Sequence, residues 1–205
     1  MTSESDQNEL PPLVYLGQRA LMRPQDPVPE QQLGSHGFQR CLRVLADCMR
    51  AYGGIGIAAP QIGWNTRVFC VGIDGSSPRY PGAAPIPFEY WINPWIKTSS
   101  ESNNWTWEGC LSVPGIRGWV GRPAEVVATG LDESGASKER LIDGFAARVF
   151  QHELDHLDGI LYPTRVEDPR WLVPDASLEK QFDWPPDWPS AGARKTVSGE
   201  LSGIP

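Results

Sequence analysis

The residues with the clearest chemical meaning are two histidines four positions apart, with a glutamate between them. His152, Glu153 and His156 lie in the stretch Gln-His-Glu-Leu-Asp-His. On a helix, residues i and i+4 project from one face, so both imidazoles can reach the same metal ion. The glutamate beside them could then accept a proton from a water molecule. The motif uses two of the three histidines in the chain and predicts a metal-dependent hydrolytic site.

A catalytic metal site of this kind needs a third protein ligand, and the sequence offers three alternatives. One class of metalloprotease would place a histidine at position 162, which is Tyr162 here. Another would use a glutamate further downstream, and Glu179 is available as the third ligand of a zinc metalloprotease. The third alternative is Cys110, in Glu-Gly-Cys-Leu-Ser, because a thiolate is a strong soft ligand for divalent transition metals.

The segment Gly54–Gln61 is a further candidate for binding chemistry. Its two glycines and two alanines leave little side chain, so the backbone could come close to a substrate. The amide of Gln61 could face a developing oxyanion. A glycine-rich turn that ends a helix explains the same residues, and the segment alone does not decide between the two.

Two helices and at least four strands are expected around these motifs. A helix over about Gly37–Tyr52 is indicated by apolar residues at intervals of three and four. A second, over about Asp143–Asp158, carries the two histidines and is apolar nearly all round, which is typical of a buried helix. Runs rich in aromatic and β-branched residues predict strands over Thr66–Ile73, Glu89–Lys97, Ile116–Val120 and Ala124–Leu131. Strands followed by a late buried helix indicate an α+β fold.

The composition excludes several classes of protein. A net charge of -7 argues against a nucleic-acid-binding surface. No apolar run approaches the length of a membrane span, and the N-terminus lacks the features of a secretory signal, so we expect a cytoplasmic protein. In a reducing compartment the cysteines do not form a disulfide framework, and Cys41, Cys48 and Cys70 are expected in the core.

Composition also divides the chain into three parts. Residues 1–12 are polar and end in two prolines, so we expect a disordered lead-in. Residues 13–167 form the predicted catalytic domain. Residues 168–205 form an extension rich in Pro, Trp, Ser and Gly. This extension is either partly disordered or an ordered arm that Trp171, Trp184 and Trp188 anchor on the domain.

Taken together, three of these segments resemble the peptide deformylase family. The chain carries G-x-G-x-A-A-x-Q, E-G-C-L-S and Q-H-E-x-D-H in the order and spacing of that family. The resemblance implies an α+β fold in which antiparallel sheets surround the buried C-terminal helix with the histidines. It also implies removal of the N-formyl group from the formylmethionine of newly synthesised polypeptides, with release of formate.

The resemblance implies a role for each matching residue. Glu153 would be the general base, and the oxyanion would be stabilised by Gln61 and the backbone N–H of Leu111. The metal ligands would be Cys110, His152 and His156. The substrate would be aligned or bordered by Ile55, Gly56, Glu108, Arg117, Phe145 and Val149.

The resemblance also implies a cofactor and partners. The ligands alone would suit zinc, whereas the family generally works with Fe²⁺ and tolerates Ni²⁺ or Co²⁺. The partners would be N-formylmethionyl nascent polypeptides and the exit region of the ribosome.

Overall fold

The structure is a computed structural model that describes residues 10–74 and 83–195. Most of the lead-in predicted over residues 1–12 lies outside these ranges, as do the last ten residues of the predicted extension. Leu10 packs against the core around the first helix, and the hydroxyl of Tyr52 donates to the carbonyl of Pro11 at 2.7 Å. The division of the chain at residues 12/13 and 167/168 stays a prediction.

The first helix, α1 (His36–Ala51), follows the apolar stripe of the sequence. The hydroxyl of Ser35 caps it by accepting a hydrogen bond from the amide of Phe38 at 3.2 Å. Its buried side chains include Leu42, Leu45 and Met49. Cys41 is exposed, so its expected place in the core is wrong: it lies at the edge of the stripe, where its side chain faces solvent.

Within the described residues, eight strands form two antiparallel sheets. Their bounds are β1 Gly56–Ala58, β2 Val68–Ile73, β3 Ile86–Ser99, β4 Asn103–Cys110, β5 Val113–Pro123, β6 Glu125–Leu131, β7 Ser137–Asp143 and β8 Leu172–Pro174. The order is β1-β2-β3-β6-β7 in the larger sheet and β4-β5-β8 in the smaller one.

Two of these strands carry site residues and were not expected as strands. The segment after α1 forms β1, because Gly56 and Ile57 pair with Val71 and Cys70 of β2. Strand β4 contains Asn, Glu and Gly, which are poor strand formers, and it is held by pairing along most of β5. Long-range pairing outweighs local propensity in both places.

The second helix, α2 (Gly144–Leu157), is buried between the sheets, as expected. On this helix the ring of Phe150 packs edge-on against Phe69 and Trp91. Its centroid lies 5.2 Å from that of Phe69 and 4.9 Å from that of Trp91. The helix ends before Gly159, whose φ of +75° suits a residue without a Cβ. This packing fixes the face of α2 that carries the histidines.

Residues 172–195, called the C-terminal arm below, are ordered against the smaller sheet. Strand β8 pairs with β5, and the short helix α3 (Asp175–Leu178) follows it. Tryptophans from the sheet, from the arm and from the turn just before the arm then pack together: Trp105, Trp107, Trp119, Trp171, Trp184 and Trp188. The indole N–H of Trp107 donates to the carbonyl of Ala193 at 3.2 Å. The arm therefore covers the outer side of this sheet.

No helix in the described ranges is long and apolar enough to cross a membrane.

Candidate metal centre

Three candidate ligands converge at the end of β4 and the middle of α2. The ligand atoms of Cys110, His152 and His156 all lie within 4.8 Å of one another. Nε2 of His156 is 3.3 Å from Sγ of Cys110. Two imidazoles and one sulfur form a donor set that a divalent transition metal accepts.

The surroundings of these side chains suit a metal ion. Nδ1 of His152 is 3.0 Å from Oε2 of Glu108, which leaves Nε2 to face the cluster. The sulfur of Cys110 accepts hydrogen bonds from the amide of Ser112 at 3.4 Å and from Nε2 of Gln61 at 3.6 Å. The thiolate is the form of cysteine that binds a metal ion.

Behind His152 lies a network of buried charges centred on Glu108. Its carboxylate accepts from Nε and Nη2 of Arg122 at 2.6 and 2.9 Å, and it also pairs with Arg148. Nη1 of Arg122 donates a further hydrogen bond to Oδ2 of Asp155 at 2.8 Å. Burial opposes the charge on Glu108, but the two arginines and His152 hold its pKa well below the usual range. The ionised carboxylate of Glu108 therefore lies behind the imidazole of His152, a candidate metal ligand.

Glu153 follows the candidate ligand His152 on α2 and is also buried. It is 4% exposed, and among the described residues its Oε2 has no hydrogen-bond partner. Burial raises the pKa of Glu153 to about 7, against the opposing effect of His152 and Arg122. A Cβ on Gly56 would come within 2.5 Å of Oε1, so the carboxylate lies directly against the start of β1.

Gln61 presents its amide to the same site. Its Oε1 accepts from the amide of Ala58 at 2.8 Å, and its Nε2 donates to the hydroxyl of Ser112 at 3.1 Å. Leu111 packs close to Gly54, where an added Cβ would lie 3.1 Å from its side chain. The glycine-rich segment thus does more than end α1, since it lines the site.

The remaining candidates fall into different surroundings. Ile55 and Val149 are buried in one apolar cluster against which Phe145 packs. Glu108 belongs to the charge network, and Arg117 lies across Gly109, so the roles expected for these two residues stay predictions.

The alternative third ligand, Glu179, is not near the histidines. It is exposed at the end of α3 and is not part of the group of ligand atoms. The structure therefore does not support the zinc metalloprotease alternative.

Sequence reasoning missed the residues that hold the ligands in place. Arg122 gave no local signal, because its partners Glu108 and Asp155 are 14 and 33 positions away in the sequence. Asp155 is part of the Q-H-E-x-D-H motif, but its pairing with Arg122 was not predicted. Arg148 was a usable hint, because it lies among the apolar residues in the first half of α2 and a buried arginine needs an anionic partner.

The fold and this site are those of a class of protein: a metal-dependent hydrolase, here with a candidate Cys/His/His donor set and a buried glutamate. The family model described as polypeptide deformylase matches residues 10–171. The chain belongs to the polypeptide deformylase family.

Curated relatives match over most of their length. The chain is 44% identical to "Peptide deformylase 1" of Nitrosomonas europaea over 159 residues, covering 78% of this chain and 89% of the relative. It is 43% identical to "Peptide deformylase 2" of Pseudomonas putida over 156 residues, covering 76% and 87% respectively.

Solved structures agree with this assignment. A class I type b peptide deformylase from Acinetobacter baumannii, bound to Met-Ala-Ser, has a TM-score of 0.74 at 35% identity and covers 77% of this chain and 99% of that one. A Synechococcus elongatus peptide deformylase in complex with actinonin has a TM-score of 0.69 at 32% identity, with coverages of 82% and 85%. The chain is thus a metal-dependent hydrolase that removes the N-formyl group from newly made polypeptides.

Proposed function

We propose that Cys110, His152 and His156 bind the metal ion and that Glu153 is the general base of the deformylation. The observation that carries this is the convergence of the three ligand atoms beside a buried carboxylate with an unpartnered oxygen among the described residues. The substrate is the formylmethionine at the N-terminus of a polypeptide, and the products are formate and a free amine.

The chemistry needs a nucleophile and a proton carrier. When bound, the metal lowers the pKa of water towards neutrality and polarises the formyl carbonyl. Glu153 accepts the proton of the attacking water and later gives it to the departing amine. Its carboxylate lies directly against Gly56 at the start of β1, which confines it on that side.

Charge that develops on the formyl oxygen is stabilised by Gln61 and the backbone N–H of Leu111. Nε2 of Gln61 lies 3.6 Å from Sγ of Cys110. The amide of Ala58 donates to Oε1 of Gln61, and this hydrogen bond holds the side-chain amide in its orientation. One such donor is worth about 3 kcal/mol in the transition state.

Selectivity for formylmethionine follows from the walls of the site. We assign Ile55, Phe145 and Val149 to the methionine pocket, since they belong to one apolar cluster. Ile55 directly precedes β1, and the other two residues lie on α2. Gly56 aligns the substrate backbone. Glu108 borders this region and acts through His152, whose imidazole it orients.

We assign Fe²⁺ as the physiological metal, with Ni²⁺, Co²⁺ or Zn²⁺ able to replace it. Affinity would favour zinc, so selection in the cell depends on metal availability. A thiolate on ferrous iron is open to oxidation by air. The iron form should therefore lose activity in air, the nickel form should keep it, and the zinc form should be slow.

The same proposal places the enzyme in the cytoplasm, near the ribosomal exit region where formylated chains emerge. Pelleting of the protein with purified ribosomes, with and without nascent chains, tests this placement.

The test of the function is formate release from formyl-Met-Ala-Ser, compared with release of acetate from acetyl-Met-Ala-Ser. The protein is purified without oxygen and its metal content is measured on the same sample. We expect turnover of the formyl peptide alone, because a tight cavity rejects larger acyl groups. Comparable kcat/KM for both peptides would contradict the proposal.

A further inference from the structure

The C-terminal arm, which follows the segment that the family model matches, reaches a cavity beside Cys110. A cavity of about 220 Å³ adjoins Cys110 and is lined by residues 109–111, residues 113–117 and Asp175 of the arm. Strand β8 pairs with β5 at Ile116, Arg117 and Gly118, and Asp175 follows β8 directly. Backbone pairing therefore fixes Asp175 at the cavity wall.

The formally charged side chains among the described lining residues are Arg117 and Asp175. Nε of Arg117 donates to Oδ1 of Asp175 at 2.8 Å. The guanidinium lies flat against Gly109, where a Cβ would collide with it. The Arg117 side chain is 13% exposed, whereas that of Asp175 is 47% exposed. The charge that a ligand in this cavity meets first is therefore the carboxylate.

We propose that Asp175 is a specificity-determining residue, which favours polypeptides with a basic side chain close after the formylmethionine and disfavours acidic ones. This rests on the proposed function, since a chain held with its formyl group beside Cys110 must continue out of the site. Each residue of an extended chain advances about 3.3–3.6 Å, so the first residues after methionine pass the neighbouring cavity.

A purely structural role of Asp175 gives a different pattern. If the carboxylate only held Arg117 against Gly109, its loss would change all peptides by a similar factor. Charge selection instead changes basic and acidic peptides in opposite directions, and the difference shrinks at high salt.

The test uses the full-length, nickel-loaded enzyme. We measure kcat/KM for formyl-Met-Ala-Lys-amide, formyl-Met-Ala-Glu-amide and formyl-Met-Ala-Ala-amide, and for a second set with the charged residue directly after methionine. In D175N the ratio of the Lys to the Glu peptide should fall about threefold in one or both sets, the size of effect expected for a partly exposed ion pair. D175E should restore most of the ratio.

The matched control is E179Q, which removes one negative charge from the same arm at an exposed residue outside the cavity lining. Its Lys/Glu ratio should equal that of the wild type. An equal change for all three peptides in D175N, or the same ratio change in E179Q, overturns the inference. Failure of the proposed function is a separate result: no formate would appear from any of the peptides with wild-type enzyme, and both proposals would fall.

Discussion

Glu108 joins the candidate metal ligands to the buried charges behind them. It contacts Arg122, Arg148 and His152, and its side chain is 4% exposed. In Glu108→Gln the buried Arg148 loses its anionic partner and Arg122 keeps only Asp155, so we expect a loss of about 3–5 kcal/mol in the free energy of unfolding. Metal affinity should fall about 10- to 100-fold, because His152 loses its orienting carboxylate. Urea unfolding and metal titration measure the two effects.

The control for this change is Glu139→Gln. Glu139 also pairs with a cation, Lys97 at 3.0 Å, but both side chains are more than half exposed. Its loss should cost less than about 1 kcal/mol and leave metal affinity unchanged. If Glu108→Gln behaved like Glu139→Gln, the carboxylate would have no part in holding His152.

Glu153 is the residue whose replacement separates chemistry from metal binding. Glu153→Gln keeps the size of the side chain but cannot accept a proton. We expect full metal content, an unchanged fold and a loss of about 10²–10⁴-fold in kcat. A variant that retained more than a tenth of the wild-type kcat would show that another group moves the proton.

At this scale the sequence predicts the groups that do chemistry better than the groups that hold them. The spacing of His152 and His156 on one helix predicts a metal site without any knowledge of the tertiary structure. Arg122 carries no such signal, since its contacts with Glu108 and Asp155 form only in the folded chain.

Strand β1 and helix α2 approach so closely that a Cβ at position 56 would overlap the side chain of Glu153. In Gly56→Ala the new Cβ would meet Oε1 of Glu153 at 2.5 Å, and the carboxylate, at the flexible end of its side chain, would move. The fold should survive, but kcat should fall about 10²-fold, as expected for a misplaced catalytic group. Steady-state kinetics with thermal unfolding checks this.

The control is Gly37→Ala, in α1, where an added Cβ meets nothing within 4 Å. This change should leave kcat unchanged and leave stability equal or slightly higher, since alanine suits a helix better than glycine. Equal kcat in both alanine variants would contradict the close contact between β1 and Glu153.

Helices with a clear periodic pattern of apolar residues were predictable from the sequence. Strands held by pairing with distant segments of the chain were not. The apolar stripe of α1 and the glycine after α2 fixed both helices to within about two residues. Strand β4 carries Cys110 and Glu108, and the Asn, Glu and Gly residues around its Trp105–Trp107 segment hide its bounds from local propensity. Its conformation comes from pairing with β5, which local propensity does not report.

In the whole molecule, the C-terminal arm completes the core of the smaller sheet. Leu178 is 6% exposed in the tryptophan cluster, so Leu178→Ala should lower the free energy of unfolding by about 2–5 kcal/mol. Phe182 lies on the same arm but is 73% exposed, and Phe182→Ala should change stability by about 0.5 kcal/mol at most. Tryptophan fluorescence during urea unfolding measures both; equal effects would mean that the arm does not pack as described.

Metal content and formate release, measured on the same samples of wild type, Cys110→Ala and Cys41→Ala, test the central proposal most directly. Cys110 lies with the two histidines, whereas Cys41 is exposed on α1 and serves as the matched control. Wild type and Cys41→Ala should carry about one metal ion per chain and release formate from formyl-Met-Ala-Ser, and chelation should abolish the activity. Cys110→Ala should lose both metal and turnover. A Cys110→Ala enzyme that keeps its metal and still releases formate would contradict the Cys/His/His centre.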